Sequence, residues 1–244
     1  MRILLVNDDG FGEPGLVALE KTLKNHDTVT VAPSRHHSGA SMSLNLYSPL
    51  VLKKYDINRY SVEGTPVDCV KLALTELMKD NLPDLVISGI NPGANVANNT
   101  WYSGTLAAAT EAAFWKIPAI AISLEYSDTP NFELATNAIE NIINEHVYKM
   151  IKPGFLLNVN VPLRKPKGFK LTTVGSFATE IPFSKCKNGN SFRYGAYEIQ
   201  PVREPDGTDV HAIADGFISL SVLSSSRMLH NNSNDLRSWC LQQS

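Results

Sequence analysis

The chain has little cysteine, little net charge and no long apolar run, and each shortage removes a class of protein. Three cysteines in 244 residues, Cys69, Cys186 and Cys240, are odd in number and far apart, with no C-x-x-C pair. This argues against a disulfide framework or a zinc site built on cysteine, and for reduced thiols. A formal net charge of −2 argues against a nucleic-acid surface built on bulk positive charge, so no DNA partner is expected. No apolar stretch reaches membrane-spanning length, and Met1 enters a strand-like run without a basic and apolar leader. A cytoplasmic chain with no membrane partner is the expectation. What is present, 43% hydrophobic and 19% charged residues, is the composition of a globular domain long enough to bury one sizeable core.

The first ten residues organise the rest. Ile3-Leu4-Leu5-Val6 is continuously apolar and stops abruptly at Asn7-Asp8-Asp9-Gly10. Such a run suits a strand covered on both faces, as in a parallel sheet, whose carboxyl edge is where ligands bind. Two adjacent carboxylates there repel each other unless a cation or a shared proton offsets the charge. Taken alone, these four residues fit a metal site and a plain acidic turn equally well.

Further along, residues 14–23 have helical spacing behind Pro14, and residues 28–32 form the next strand. Residues 33–43 are small and polar, a loop at a strand's carboxyl end. Residues 50–53 and 59–62 are weaker strands. Thr65, Pro66 and Asp68 have the pattern of a helix start, with the helix running to about Lys79. A strand at 84–88 leads into the Gly- and Asn-rich loop 89–95, and Ser103 caps an Ala-rich helix over 106–115. Residues 118–123, 132–150 and 155–161 read as strand, long helix and strand. This alternation predicts a Rossmann-like three-layer α/β/α fold with a mainly parallel sheet. Residues 164–216, with alternating runs such as 170–174, read as projecting β-hairpins. A strand at 217–223 closes a domain spanning 1–223. Residues 224–244 form a C-terminal tail with a helix at 235–242, packed on its own core or exchanged with a neighbouring subunit.

Gly10-Phe11-Gly12-Glu13-Pro14-Gly15 fits G-x-G-x-x-G between a strand and a helix, the context of a dinucleotide site. Against it, a pyrophosphate would face Asp8 and Asp9, and the second strand ends in Ala32-Pro33-Ser34 without the acidic residue that holds a ribose. Arg35 leaves an NADP-dependent oxidoreductase as a minority alternative.

The alternation gathers Asp8, Asp9, residues 34–43, Asn91, Asn95 and residues 103–105 at one sheet edge. Oxygen donors without a Cys or His cluster select magnesium, manganese or calcium. A helix opening at Ser103-Gly104-Thr105 offers free N–H groups to an anion such as phosphate. Metal and anion cradle together imply phosphoryl chemistry.

Asn7-Asp8-Asp9-Gly10, Ser38-Gly39-Ala40-Ser41, the Gly64 to Val70 segment GTPVDCV, Ser88-Gly89-Ile90-Asn91, Tyr102-Ser103-Gly104-Thr105 and Gly207-Thr208-Asp209 stand in the order and spacing of the SurE family. The chain resembles these metal-dependent 5′/3′-nucleotidases, also called stationary-phase survival proteins, over essentially its whole length. The resemblance implies one divalent ion per subunit held by Asp8, Asp9, Ser38 and Asn91. It also implies phosphate contacts at Ser103, Gly104 and Thr105 with Asn95 close by, and a homodimer or homotetramer. The expected reaction is hydrolysis of nucleoside 5′- and 3′-monophosphates by a metal-activated water, with Asp8 or Asp9 taking its proton. Asn91-Pro92-Gly93-Ala94-Asn95 departs from the family's usual order, in which Gly precedes Pro and Asn, and this weakens the assignment of Asn95. A nucleotide-binding regulatory module without turnover is the alternative of another class.

Other residues have bland readings beside functional ones. Adjacent His36 and His37 point opposite ways in an extended segment and read as surface histidines. Trp101 and Tyr102 could stack a base or pack their own loop. Arg193, Tyr194 and Tyr197 could cover a nucleoside or meet a second subunit. Lys152, Arg164, Lys165 and Lys167 read as a solvated face.

Overall fold

The computed structural model describes residues 1–176, 183–186, 190–194 and 205–226. Strand β1 (Arg2–Val6) sends Ile3 and Leu5 into one hydrophobic core and Leu4 and Val6 into another, so both faces of the sheet are covered. Helix α1 (Pro14–Thr22) carries the chain to β2 (Asp27–Pro33), parallel to β1. A hairpin of β3 (Leu52–Asp56) and β4 (Arg59–Val62) lies outside β2. Helix α2 (Pro66–Leu72), continued by a π-helical turn over Ala73–Leu77, then brings the chain to β5 (Leu85–Pro92) on the other side of β1. Helix α3 (Gly104–Phe114), β6 (Ala119–Leu124), α4 (Glu133–Asn144) and β7 (Phe155–Val161) extend the parallel sheet outward.

The remaining elements are β8 (Phe169–Thr172), β9 (Phe183–Lys185), β10 (Phe192–Tyr194), α5 (Asp209–Ala214) and β11 (Ile218–Ser224). The main sheet runs β3-β4-β2-β1-β5-β6-β7-β11-β8, and β9 and β10 pair apart from it. Leu16 and Leu19 of α1 and Ile139 and Ile142 of α4 belong to one core. Val70 of α2 and the alanines of α3 belong to the other. This is the expected three-layer α/β/α arrangement, with antiparallel pairs at β3–β4 and β7–β11.

The structure departs from the sequence reading in four places. The helix expected over 132–150 stops at Asn144, because His146 turns left-handed at φ 54°, and a 3-10 turn follows at Val147–Met150. Tyr148 still reaches the core, so the apolar period continues through the break. The helix expected to reach Lys79 is α-helical only to Leu72. The run at 170–174 does not project. Phe169–Thr172 joins the main sheet beside β11, and among the described residues the separate hairpin is β9 paired with β10. Helix α5 is an addition. The tail helix at 235–242, Cys240 and Tyr197 lie outside the described residues.

Candidate active site

The chain leaves β1 first toward β2 and later toward β5, so a crevice opens at the carboxyl ends of β1 and β5. Asn7 shapes the turn after β1: its Nδ2 donates to the Gly10 carbonyl at 2.9 Å, and its Oδ1 accepts from the Gly10 N–H at 3.3 Å. This buries both following carboxylates, with Asp8 at 3% and Asp9 at 9% exposure. Asp8 Oδ1 accepts a 2.6 Å hydrogen bond from Thr105 Oγ1. Gly104 lies against the same side chain, close enough that a Cβ there would stand 2.7 Å from Asp8 Cβ. Burial raises the Asp8 pKa against the pull of the Thr105 bond. Burial and the neighbouring Asp8 charge push Asp9 up to about 7.

The loop after β2 closes over this pair. The His37 N–H donates to the Asp8 carbonyl at 2.7 Å, one residue before Ser38, which is exposed. His36 Nδ1 lies 3.3 Å from the Asp9 carbonyl and 3.7 Å from Asp9 Oδ1. His36 is exposed, as expected of a surface histidine, yet it borders the carboxylates, and the charges of both histidines bear on Asp8. Ser41 closes the loop, its N–H bonded to the Tyr102 carbonyl and its hydroxyl to that of Trp101. The GTPVDCV segment anchors the same loop from below. Thr65 and Asp68 form the expected capping box, Thr65 Oγ1 also donates to the Ser43 carbonyl, and Asp68 accepts from the Asn45 N–H.

The end of β5 brings Asn91 and Asn95. Asn91 Nδ2 donates to the Gly93 carbonyl at 2.6 Å, which leaves the amide oxygen as its free end. Asn95, expected among the phosphate contacts, is instead buried in a network of its own. Its N–H donates to Asn160 Oδ1 at 2.7 Å and its Nδ2 to Ser123 Oγ at 2.9 Å. Its carbonyl accepts from Asn158 and Asn160. It anchors the loop that leads to α3. Asp209 pins the next turn, accepting from the N–H groups of Ala97 and Gly175.

Helix α3 begins with Ser103 accepting from the Leu106 N–H at 3.1 Å. The first-turn N–H groups of Gly104 and Thr105 have no acceptor within the helix, and the dipole favours an anion there. The Thr105 hydroxyl donates to Asp8, which leaves the Thr105 N–H for the expected phosphate contact. Trp101 and Tyr102 are 67% and 63% exposed, so neither is buried as packing for its loop.

Among the described residues no group of three or more His, Cys, Asp or Glu side chains could hold an ion. An ion at this edge would draw on two carboxylates, a hydroxyl and an amide oxygen, a donor set for hard divalent cations. The fit is favourable, because two adjacent buried carboxylates, both raised by burial and Asp9 further by the Asp8 charge, are relieved by positive charge. A depression of about 510 Å³ between α2 and α3, lined in part by Lys71 and Glu111, contains none of these residues.

The model of the SurE family, described as survival protein SurE, matches residues 3–180. The chain belongs to the SurE family. A protein named 5′-nucleotidase SurE from Vibrio cholerae serotype O1 is 41% identical over 247 residues, covering 98% of this chain and 97% of its own. A protein of the same name from Pseudoalteromonas atlantica is 39% identical over 98% of both chains. A crystal structure of SurE protein from Aquifex aeolicus superposes with a TM-score of 0.86 at 34% identity, over all of both chains.

This SurE fold gives the glycine pattern at 10–15 a structural purpose. A Cβ on Gly15 would stand 2.0 Å from the Ile90 carbonyl oxygen, so this glycine lets α1 approach β5. Arg164, read as solvated, donates to the Ala214 carbonyl, and Lys167 lies over the Phe217 ring.

Proposed function

We propose that the chain is a phosphomonoesterase that hydrolyses nucleoside 5′-monophosphates, and also 3′-monophosphates, to nucleoside and phosphate. Its relatives' name, 5′-nucleotidase, supports the reaction class. The observation that carries the reading is the junction of β1 and α3, where a buried carboxylate is held by Thr105 against the backbone of Gly104, at the helix end suited to phosphate. Asp8, Asp9, Ser38 and Asn91 would hold one divalent ion, magnesium or manganese in preference to calcium. Such an ion, when bound, supplies positive charge to the phosphate oxygens and makes neighbouring water more acidic. Asp8 is oriented by Thr105. No side-chain hydroxyl among the described residues bonds to Asp9, which is the better placed to take a proton from the attacking water. The N–H groups of Gly104 and Thr105, with Ser103, hold the phosphate oxygens; losing one such donor typically costs about 3 kcal/mol in the barrier.

We further propose a homodimer or homotetramer in which the segment after Ser224 is exchanged. The edge strand β8, which leaves Leu171 78% exposed, supports association. Residues 1–223 are the catalytic domain in this reading. The free thiols Cys69 and Cys186 agree with a reducing, cytoplasmic compartment, and no helix among the described residues is long and apolar enough to cross a membrane.

The deciding experiment is phosphate release from nucleoside monophosphates by chelator-stripped protein, with magnesium, manganese, calcium or zinc restored and Asp8→Asn alongside. Release that depends on metal and disappears in the variant is expected. No release with any ion would leave a nucleotide-binding module as the reading. An unchanged oligomer after deletion of residues 225–244 would overturn the exchange.

A further inference from the structure

Asp9 has a second neighbourhood, on the side away from α3. An open cavity of about 470 Å³ lies there, between the start of α1 and the segment that leads into α4, within the size range of small-ligand sites. Its walls include the rings of Pro14, Pro92 and Pro130 and the side chain of Phe132. Phe132 is partly buried against the α1–α4 core, so it is fixed in place. Proline rings and an anchored phenyl ring change shape little, and they form a slot better suited to a flat heterocycle than to a flexible chain.

The polar groups of the cavity are Asp9, Glu13 and Thr129. Glu13 precedes α1, is exposed, and makes no capping bond with its carboxylate. With Asp9 assigned to the ion, Glu13 is the carboxylate left at this cavity to repel a phosphate and to accept a hydrogen bond from an N–H donor. The two sides of the Asp8–Asp9 pair thus differ in sign, with helix N–H groups toward α3 and acidic oxygens toward α1.

We propose that this cavity holds the base of the nucleotide, with Glu13 accepting a hydrogen bond from an exocyclic amino group, so that amino-bearing bases are favoured over their oxo counterparts. The inference rests on the nucleotidase reading. Phosphate lies at α3 on one face of the sheet, the base lies toward α1 and α4 on the other, and Asp9 stands between them. Glu13 is then a specificity residue and takes no part in the bond-breaking step.

The test compares substrates that differ only by amino against oxo, CMP with UMP and AMP with IMP, and uses ribose 5-phosphate as the base-free reference. Steady-state kcat and KM are measured for the metal-loaded wild type, Glu13→Ala and Thr129→Trp. The wild type should prefer the amino member of each pair by about tenfold in kcat/KM, the value of one charge-assisted hydrogen bond near solvent. Glu13→Ala should bring that ratio to about one, through KM. Thr129→Trp, which fills the exposed rim, should raise KM for all four nucleotides more than for ribose 5-phosphate. The proposal is overturned if Glu13→Ala leaves the ratio unchanged, if both variants affect ribose 5-phosphate as much as the nucleotides, or if Thr129→Trp leaves nucleotide KM unchanged. A wild type that hydrolyses no nucleotide with any ion overturns the nucleotidase reading itself, a result visible before any variant is made.

Discussion

Helices α1 and α3 both begin at the carboxyl edge of the sheet, on opposite faces, and both open with a glycine in tight contact. Gly15 of α1 meets the backbone carbonyl of Ile90, whereas Gly104 of α3 meets the side chain of Asp8. The residues around them differ in the same sense. Glu13, whose side chain does not cap, precedes α1, and the helix opens with Pro14, which has no N–H to offer. Before α3 comes Ser103, which caps, and no acidic residue stands in its first turn. Two helix ends of equal dipole are thus assigned to packing and to chemistry by what their first three residues present.

Substituting the two glycines separates these assignments. Gly15→Ala would drive a Cβ into a fixed carbonyl and should destabilise the fold by more than about 3 kcal/mol, or prevent folding, read by thermal or urea unfolding. Gly104→Ala brings a Cβ to 2.7 Å from Asp8 Cβ, a lighter overlap than the 2.0 Å at Gly15, and Asp8 must move to relieve it. It should remain folded, with a loss of about 1–3 kcal/mol, while phosphate release falls on the order of 100-fold because the carboxylate moves. Equal stability losses with activity retained in Gly104→Ala would erase the distinction.

Thr105→Val tests the hydroxyl that joins α3 to Asp8. Metal affinity measured by calorimetry should fall by about tenfold, one charge-assisted hydrogen bond, and Thr105→Ser should recover most of it.

A dependence on pH is also expected. Asp9 titrates at about 7 in the folded chain, and near 4 when unfolded. Between these values the folded chain holds the additional proton. Stability of the metal-free protein should therefore decline as pH rises through that window, with the loss complete above 7. A saturating divalent ion should flatten the slope, and a slope unchanged by metal would remove the carboxylate pair from the binding site. Smallest of all, Ser103→Ala should cost about 1 kcal/mol through the lost cap.

Much of this was legible in the residues. Continuous apolar strands, Thr65 and Ser103 as caps, and acidic or Gly-rich turns after strands placed the sheet edge and Asp8, Asp9, Asn91 and residues 103–105 along it. The rest depends on contacts that spacing does not encode. Asn95 reads as a ligand because amides suit phosphate, yet it is claimed by Asn158, Asn160 and Ser123, residues 28 to 65 positions away. The left-handed His146 interrupts a helix whose apolar period continues. The role of Asp68 in holding Asn45, and that of Asp209 in holding Ala97, likewise follow from contacts between segments 23 and 112 positions apart. His36 and His37 read as surface histidines from their adjacency alone, which does not show that the folded loop lays His36 beside Asp9.

The bond from Thr105 to Asp8 spans 97 residues. At cellular rates of synthesis the carboxylate pair leaves the ribosome roughly 5 to 20 s before the hydroxyl that orients it. During that interval the nascent chain carries two neighbouring acids with neither their helix nor their loop in place. The order of the chain itself therefore delays catalytic competence until β5 and α3 have docked, and no separate inhibitory segment is needed to keep the unfinished protein silent.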